Sequence, residues 1–322
     1  MQVFRKLDDL PASFGPAIVT VGNFDGVHLA HLRVLKEITE RARRQGKLSI
    51  AVTFDPHPGR ILRPDIPLKL ITPTPEKLQL LDSTGIDVTV VLPFTKDLSE
   101  MTPEEFAGNI LKTRLHATEV HEGYNFRFGR NASGDVNALA KFGREMGFEV
   151  KLYPEMRVRG APVSSTHIRK LLIEGEVSRA RHLLGRLFSI QSTLRHGRGY
   201  GTKYTVPTIN LGAYDELVPR NGVYLTRTGI GEELFDAVTN VGNRPTFGDD
   251  SFAIESHLLD FHAIEIEEKT AVKVCFIKRL RDEIKFPSVE LLRGQIAQDV
   301  KQAKRYFALL PSRPDARQSI SG

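Results

Sequence analysis

The order of strand-like and helix-like segments is the strongest constraint on how this chain can fold. Up to about residue 187, β-rich runs such as "AIVTV" at 17–21 and "LSIAVTF" at 48–54 alternate with amphipathic helical runs, the first from about 29 to 45. The alternation continues through "IDVTVVLPF" at 86–94 and a helix across "DVNALAKFGREMG". Such alternation predicts an α/β domain built on a parallel, doubly wound sheet.

One helix start in this region is marked by its capping residues. In "TPEEF" at 102–106, Thr102 is a favoured N-cap residue, Pro103 occupies the first helical position, and Glu105 completes a capping box. The segment therefore predicts a helix that begins at Pro103.

Strand signals dominate after about residue 187. Runs such as "GVYLTRTG" and "AVKVCFIKRLR" are separated by Gly, Asn, Asp and Pro turns at the spacing of a small antiparallel β-barrel. One last helix, capped by Ser288, is expected to run to about 309, and the polar tail lacks a core-forming pattern. The predicted organisation is an α/β domain at 1–186, a β-barrel domain with its helix at 187–309, and a disordered tail at 310–322.

Composition excludes several classes of protein. At 322 residues, with 40% hydrophobic and 26% charged residues, the chain is long enough for two hydrophobic cores. The single cysteine, Cys275, excludes an internal disulfide framework, and the N-terminus lacks the apolar core of a signal peptide. No apolar run approaches the roughly 20 residues that cross a bilayer. A cytoplasmic protein without a membrane span is expected.

The charge distribution does not indicate a nucleic-acid surface. The net charge is +6, but basic residues are dispersed among 39 acidic ones, and the densest cluster, "RARR" at 41–44, lies where the first long helix should end. Positively charged side chains at the C-terminal end of a helix interact favourably with the negative end of its dipole. The same positive field favours small polyanions such as nucleotides, so we expect small-molecule substrates and no nucleic acid.

The segment "GVHLAH" places His28 and His31 where a strand gives way to a helix. Zinc-binding pairs of the helical protease type are spaced i, i+4 with a glutamate beside the first histidine, and this pair is spaced i, i+3 with no acid between. A strand that leads through a glycine-containing turn into a helix N-terminus makes an anion site. On spacing alone, phosphate-facing histidines and ordinary surface histidines are equally good interpretations.

The wider pattern resembles a known family along nearly the whole chain. "VGNFDGVHLAH", "TFDPHP", "GYNFRFGRNASGD" and "SSTHIRKLL" resemble the nucleotidyltransferase module of bacterial bifunctional riboflavin kinase/FAD synthetases. The segments "VPTINL", "NGVY", "NVGNRPTFG", "IESHLLDF" and "RLRDEIKF" resemble their kinase module. The resemblance implies two reactions: riboflavin and ATP give FMN and ADP, and FMN and a second ATP give FAD and pyrophosphate.

The resemblance also implies roles for residues of the first domain. His28 and His31 match the family's His-x-Gly-His pattern, whose imidazoles stabilise the pentacovalent phosphorus in an in-line transfer. Arg169 would bind the leaving pyrophosphate. Asn125 falls on the family's flavin-side position. The ATP-binding residues implied are Gly22, Asn23, Phe24, Asp25, Gly26, Ser164, Ser165 and Thr166.

The kinase module must use a phosphate cradle of its own, because the chain has neither a P-loop nor the protein-kinase motifs. "HGRGYG" offers Gly197, Gly199 and Gly201 for close backbone approach, a pattern that also suits a flexible hairpin. The resemblance assigns Thr208 and Asn210, whose oxygens are hard ligands, to a Mg²⁺–ATP site, and Arg281 to flavin binding.

Glu255 resembles the family's catalytic base, which accepts the proton of the ribityl hydroxyl. Strand alternation places Ile254, Ser256 and Leu258 on one side and Glu255 with His257 on the other, and we interpret the pattern as an inward-facing role for Glu255.

The chain departs from the family at several positions. Ala30 replaces the glycine of His-x-Gly-His, "HGRGYG" and "TVPTIN" replace the usual kinase-loop signals, and the Leu-Tyr-Gly that commonly follows the Asp-Phe turn is missing from "FHAIEIEE". Two alternatives therefore stand beside the bifunctional enzyme. One is a riboflavin kinase with a disabled adenylyltransferase domain, and the other is a flavin- or RNA-binding regulator.

Overall fold

The computed structural model describes residues 1–11, 14–194, 203–204, 207–243, 252–265 and 270–310. The chain divides into two compact units, Met1–Ser165 and Thr166–Gly322. The division falls after Ser165, although the sequence predicts an α/β domain over residues 1–186.

The first unit contains a six-stranded sheet in which all neighbouring strands are parallel. Its strands are β1 (Gln2–Phe4), β2 (Ala17–Val21), β3 (Leu48–Phe54), β4 (Val88–Leu92), β5 (Ala117–Gly123) and β6 (Glu149–Tyr153), and the short strands β7 (Arg157–Val158) and β8 (Ala161–Pro162) form a separate antiparallel pair. The order β1-β4-β3-β2-β5-β6 places β2 at the centre, with β3 and β5 on either side.

Helices cover both faces of this sheet, as the doubly wound prediction requires. They are α1 (Leu29–Gln45), α2 (Pro58–Leu62), α3 (Thr74–Asp82), α4 (Lys96–Glu100), α5 (Pro103–Glu105) with a π-helical continuation at Phe106–Arg114, and α6 (Val136–Met146), with 3₁₀ turns at Leu7–Asp9 and Arg130–Ala132. Successive residues of β2 belong to the hydrophobic cores on opposite faces of the sheet. Ile18 lies in one core with Leu35 of α1, and Val19 lies in the other with Ile110 of the π-helix. The α/β prediction is confirmed.

Local capping signals place several helix ends correctly. Thr102 and Glu105 form the expected capping box. Helix α1 ends at Gln45, its C-cap residue Gly46 adopts a left-handed φ of 63°, and Arg43 and Arg44 lie in its last turn. The basic cluster is therefore a helix terminus, although Arg41 forms an ion pair with Glu119.

The second unit begins with helices α7 (Ser165–Ile173, whose first residue lies in the first unit) and α8 (Val177–Leu184). Its strands are β9 (Phe188–Thr193), β10 (Lys203–Tyr204), β11 (Thr208–Asn210), β12 (Gly222–Ile230), β13 (Glu233–Asn243), β14 (Phe252–Leu258), β15 (Ile264–Glu265) and β16 (Ala271–Arg281), followed by helix α9 (Val289–Ala308). Ser288 caps α9 by accepting a hydrogen bond from the Leu291 amide, as expected. The tail from residue 311 lies outside the described residues.

Six of these strands form a curled antiparallel half-barrel in the order β11-β14-β13-β12-β16-β9. Its two edges approach each other, because Leu194 and Leu211 form a bridge and the Gly212 amide donates to the Thr193 carbonyl at 2.7 Å. The small-barrel prediction with a terminal helix is thus confirmed.

Candidate functional site

The strand order of the parallel sheet reverses between β2 and β5. The chain builds outward through β3 and β4 on one side of β2 and through β5 and β6 on the other. In open α/β sheets, ligands bind at such a switch point, outside the carboxyl ends of the strands. The loop Gly22–His28 leaves β2 at this point, and the turn that holds Asn125 leaves β5 beside it. Asn125 itself is exposed.

Hydrogen bonds from several elements hold the loop that follows β2. Asp25 is 3% exposed, and its Oδ1 accepts from the amides of Ile71, at 2.9 Å, and Thr72, at 3.1 Å. The Gly22 amide donates to the Val52 carbonyl at 2.9 Å. Asp25 therefore fixes the shape of the loop by accepting hydrogen bonds from these two backbone amides.

The backbone of this loop departs from ordinary conformations at three positions. Phe24, Gly26 and Val27 have φ values of 47°, 85° and 35°. A positive φ costs little at glycine, but at Phe24 and Val27 it is strained and persists only where the surroundings enforce it. Such strain is typical of functional loops.

His28 and His31 are brought together at the start of α1. His28 is the N-cap residue, 4% exposed, and its Nδ1 accepts from the His31 amide at 3.4 Å. The rings stack with their centroids 3.6 Å apart and an interplanar angle of 14°, and Phe24 packs edge-on against His31. His28 thus precedes the first helical turn rather than lying in it. Within the described residues, no cluster of three or more His, Cys, Asp and Glu side chains is placed to hold a metal.

The segment "SSTHIR" meets the same loop through one serine. Ser165 is the first residue of α7, and its hydroxyl donates to the Asp25 carbonyl at 2.8 Å. Ser164 precedes the helix, Thr166 is exposed in its first turn, and Arg169 lies half-buried one turn after Ser165.

Sequence reasoning missed two buried charged residues beside the loop. Glu122 on β5 is 4% exposed and accepts from the Val21 amide at 2.6 Å, and burial raises the pKa of its carboxyl well above the usual value. Lys77 on α3 is 4% exposed, and burial lowers the pKa of its ammonium group. One signal was available for Lys77: it lies one turn before Leu81 on the apolar face of its helix.

In the half-barrel, the polar residues singled out from the sequence share one face of neighbouring strands. Asn210 on β11 is paired with Glu255 on β14, and Glu255 is paired in turn with Asn240 on β13. Thr208 is paired with His257, whose Nδ1 lies 3.1 Å from the Thr208 Oγ1. Sequence reasoning did not single out Asn240.

The expected inward orientation of Glu255 is wrong. The buried side of β14 carries Ile254, Ser256 and Leu258, whereas Glu255 is only partly buried on the opposite side. The Ser256 hydroxyl lies 2.7 Å from that of Thr239, so the interior accommodates a small polar group with a partner. A carboxylate there would lose its hydration.

Comparisons with known proteins agree with the residue patterns. The FAD synthetase family matches residues 11–167, and the riboflavin kinase family matches residues 184–307. A bifunctional riboflavin kinase/FMN adenylyltransferase of Listeria monocytogenes is 33% identical over 298 residues, 91% of this chain and 93% of its own length. The Escherichia coli K12 protein of the same description is 31% identical over 311 residues, 96% of this chain and 99% of its own. The chain belongs to this bifunctional family.

The fold of this chain is similar to that of a solved structure. A crystal structure described as a macrolide-efflux protein from Streptococcus pneumoniae matches with a TM-score of 0.81 at 25% identity, covering 94% of this chain and 98% of that one. None of the helices in the described ranges is long and apolar enough to cross a membrane.

The structure also gives the surroundings of Ala30 and Arg281. Ala30, in place of the family glycine, is the second residue of α1 and is half-buried. Arg281 forms a bidentate ion pair with Asp299 of α9, with Nη2 2.8 Å from Oδ2, and Nη1 donates to the Asp282 carbonyl at 2.9 Å. Arg281 therefore anchors the terminal helix. Gly197, Gly199 and Gly201 lie outside the described residues.

Proposed function

We propose that this protein catalyses both reactions of its family, the phosphorylation of riboflavin to FMN by ATP and the adenylylation of FMN to FAD with release of pyrophosphate. The observation that carries the proposal is the Gly22–His28 loop at the switch point of the sheet, with two stacked histidines at the start of α1. The family matches supply the identity of the substrates.

In the adenylyltransferase reaction, the FMN phosphate attacks the α-phosphorus of ATP in line, and the bond to pyrophosphate breaks. Catalysis then depends on positioning and charge stabilisation. His28 and His31 stabilise the pentacovalent phosphorus, while the loop from Gly22 to Gly26 and the segment Ser164–Thr166 hold the nucleotide. Arg169 binds the departing pyrophosphate, and Asn125 contacts the flavin.

In the kinase reaction, the ribityl 5′-hydroxyl of riboflavin attacks the γ-phosphorus of ATP. Glu255 accepts the hydroxyl proton as the bond forms, since a partly exposed carboxylate can reach a substrate at the barrel surface. The row Asn210, Glu255 and Asn240 on three adjacent strands supports this role. Arg281 would act on the flavin only by leaving part of its ion pair with Asp299.

Thr208 and Asn210 fit a Mg²⁺ ion carried in with ATP. They are two residues apart on β11, so both side chains point to the same face of the sheet, and both offer neutral oxygen donors. A bound Mg²⁺ would neutralise charge on the ATP phosphates. We place the protein in the cytoplasm with small-molecule substrates and no nucleic-acid partner, and its single cysteine suits a reducing compartment.

Incubation with riboflavin and Mg–ATP, followed by chromatographic separation of the flavins, tests the proposal. FMN followed by FAD is the expected outcome. FMN without FAD would indicate a disabled adenylyltransferase, and flavin binding with no turnover would indicate a regulator.

A further inference from the structure

We infer that Lys77 is a positioning residue of the adenylyltransferase site, which turns a backbone amide of the β2–α1 loop toward the ATP phosphates. The inference rests on the proposed function of that loop. Lys77 lies on α3, is 4% exposed, and directs its ammonium group at the underside of the loop rather than at solvent.

The contacts of the Lys77 ammonium group are with backbone and hydroxyl oxygens. Its Nζ lies 3.3 Å from the Asn23 carbonyl oxygen, 3.1 Å from the Thr53 Oγ1 and 3.4 Å from the Phe54 carbonyl oxygen. The Thr53 hydroxyl also donates to the Asn23 carbonyl, at 3.2 Å. The Asn23 carbonyl oxygen thus accepts hydrogen bonds from two buried donors, the Lys77 amino group and the Thr53 hydroxyl.

Peptide planarity converts this contact into an orientation. The Asn23–Phe24 bond is trans, so the Asn23 carbonyl and the Phe24 N–H point in opposite directions. Because Lys77 and Thr53 draw the carbonyl into the interior, the Phe24 N–H turns outward. Within the described residues, the Phe24 amide donates to no protein acceptor.

An outward-facing amide in this position suits a phosphate oxygen. The loop leads directly into the N-terminus of α1, where free amides and the helix dipole favour anions. The strained φ of 47° at Phe24 needs a restraint, and the pair of hydrogen bonds to Asn23 supplies it. Lys77 also interacts electrostatically with Asp25 and Asp55, whose carboxylates favour the protonated ammonium group.

The test compares Lys77→Met with the control Lys36→Met, which removes an exposed cation from α1. With FMN saturating, we expect Lys77→Met to raise the KM for ATP in FAD formation by roughly tenfold or more, since 1.4 kcal/mol corresponds to a factor of about ten. The inhibition constant of adenosine, which lacks phosphates, should change less than about twofold, because the loss falls on phosphate contacts. The KM for FMN and the rate of riboflavin phosphorylation should match those of Lys36→Met.

An unchanged KM for ATP would overturn the inference, and so would an equal loss of affinity for ATP and for adenosine. If circular dichroism shows that Lys77→Met does not fold, Thr53→Val replaces it in the test. This substitution removes the second hydrogen-bond donor to the Asn23 carbonyl with little change in side-chain shape. The inference then requires that Thr53→Val also weaken the binding of ATP while leaving that of adenosine nearly unchanged. A wild-type protein that makes no FAD would count against the proposed function instead.

Discussion

The Ser165 hydroxyl donates a hydrogen bond to the Asp25 carbonyl oxygen, 2.8 Å away, and so joins two segments 140 residues apart in the chain. Asp25 in turn binds the amides of Ile71 and Thr72 through its carboxylate. Within the first unit, Asp25 therefore connects Ser165, the loop after β2 and the segment before α3.

Replacing Ser165 by alanine should loosen this junction without unfolding the chain. A hydrogen bond contributes about 0.5–1.5 kcal/mol net, so we expect kcat/KM for FAD formation to fall by between about twofold and tenfold. Riboflavin phosphorylation in the same preparation is the internal control. Equal loss of both activities, measured by flavin chromatography, would show that the substitution acts through general destabilisation.

His28→Ala and His31→Ala should each abolish FAD synthesis at saturating FMN while FMN synthesis continues. The reason is that each change removes an imidazole from the stacked pair at the helix start. Added zinc should make no difference, because in the part of the chain that the structure describes no three His, Cys, Asp or Glu side chains are placed to hold a metal. FAD formation at the wild-type rate by either variant would remove that histidine from the proposed site.

Glu255→Gln should reduce riboflavin phosphorylation and spare the conversion of FMN to FAD. Loss of a general base lowers a rate by about 10²–10⁴-fold, and glutamine keeps the size of the side chain beside Asn210 and Asn240. The measurement is FMN formation from riboflavin, with FAD formation from supplied FMN as the control. A change of less than threefold would argue that Glu255 holds the strands together without taking the proton.

We expect the first unit to lose stability in acid because of a buried polar network around Glu119. Glu119 is 4% exposed and contacts His121 Nε2 at 3.1 Å and Gln45 Nε2 at 2.7 Å. Burial opposes its ionisation, but hydrogen bonds from His121, Gln45 and Arg41 prevail and lower its pKa from 4.5 to about 2. For the His121 imidazole, burial has the largest effect and lowers its pKa, although the neighbouring Glu119 carboxylate favours the protonated form.

The pKa shifts of His121 and Glu119 both reduce the stability of the folded protein as the pH falls. Below 6.5 the unfolded state protonates His121 more readily than the folded state does, so stability declines first there. Glu119 stabilises the fold above pH 4.5, and that contribution disappears between 4.5 and about 2. Thermal unfolding at pH 7, 5 and 3 should show a smaller decline in Tm for Glu119→Gln than for the wild type. An equally steep decline in the variant would assign the acid sensitivity to other groups.

The elements that sequence predicts best are those with local signals. The end of α1 at Gln45, the capping box at Thr102 and the cap of α9 at Ser288 each depend on residues within one turn of the helix end. The buried strands "AIVTV" and "LSIAVTF" stand out as continuous apolar runs, as expected of a parallel sheet covered on both faces.

Features that depend on distant residues were not predictable in this way. Strand β1 is only three residues long and forms a strand because it pairs with β4, more than 80 residues later in the chain. The hydrogen bonds of Lys77 and Glu122 likewise depend on the sheet order. The alternation of residues predicts which side chains of β14 share a side, but only their burial in the structure shows that Ile254, Ser256 and Leu258 face the interior.

Ala30 is the departure from the family that bears most directly on FAD synthesis. It is the second residue of α1, it lies with Leu29 between the two stacked histidines in the sequence, and it is half-buried. Alanine favours the helix over glycine by up to about 1 kcal/mol, and a small shift of the nucleotide can absorb one methyl group. We therefore expect the natural protein to make FAD.

Ala30→Gly should then change the apparent affinity for ATP by less than about tenfold and slightly lower the Tm, since the glycine costs helix stability but opens little additional space. The measurement is pyrophosphate release from FMN and ATP by both proteins, with riboflavin phosphorylation as the control for intact protein. Pyrophosphate release by the glycine variant alone would mean that Ala30 disables the adenylyltransferase and that the natural chain works as a kinase only.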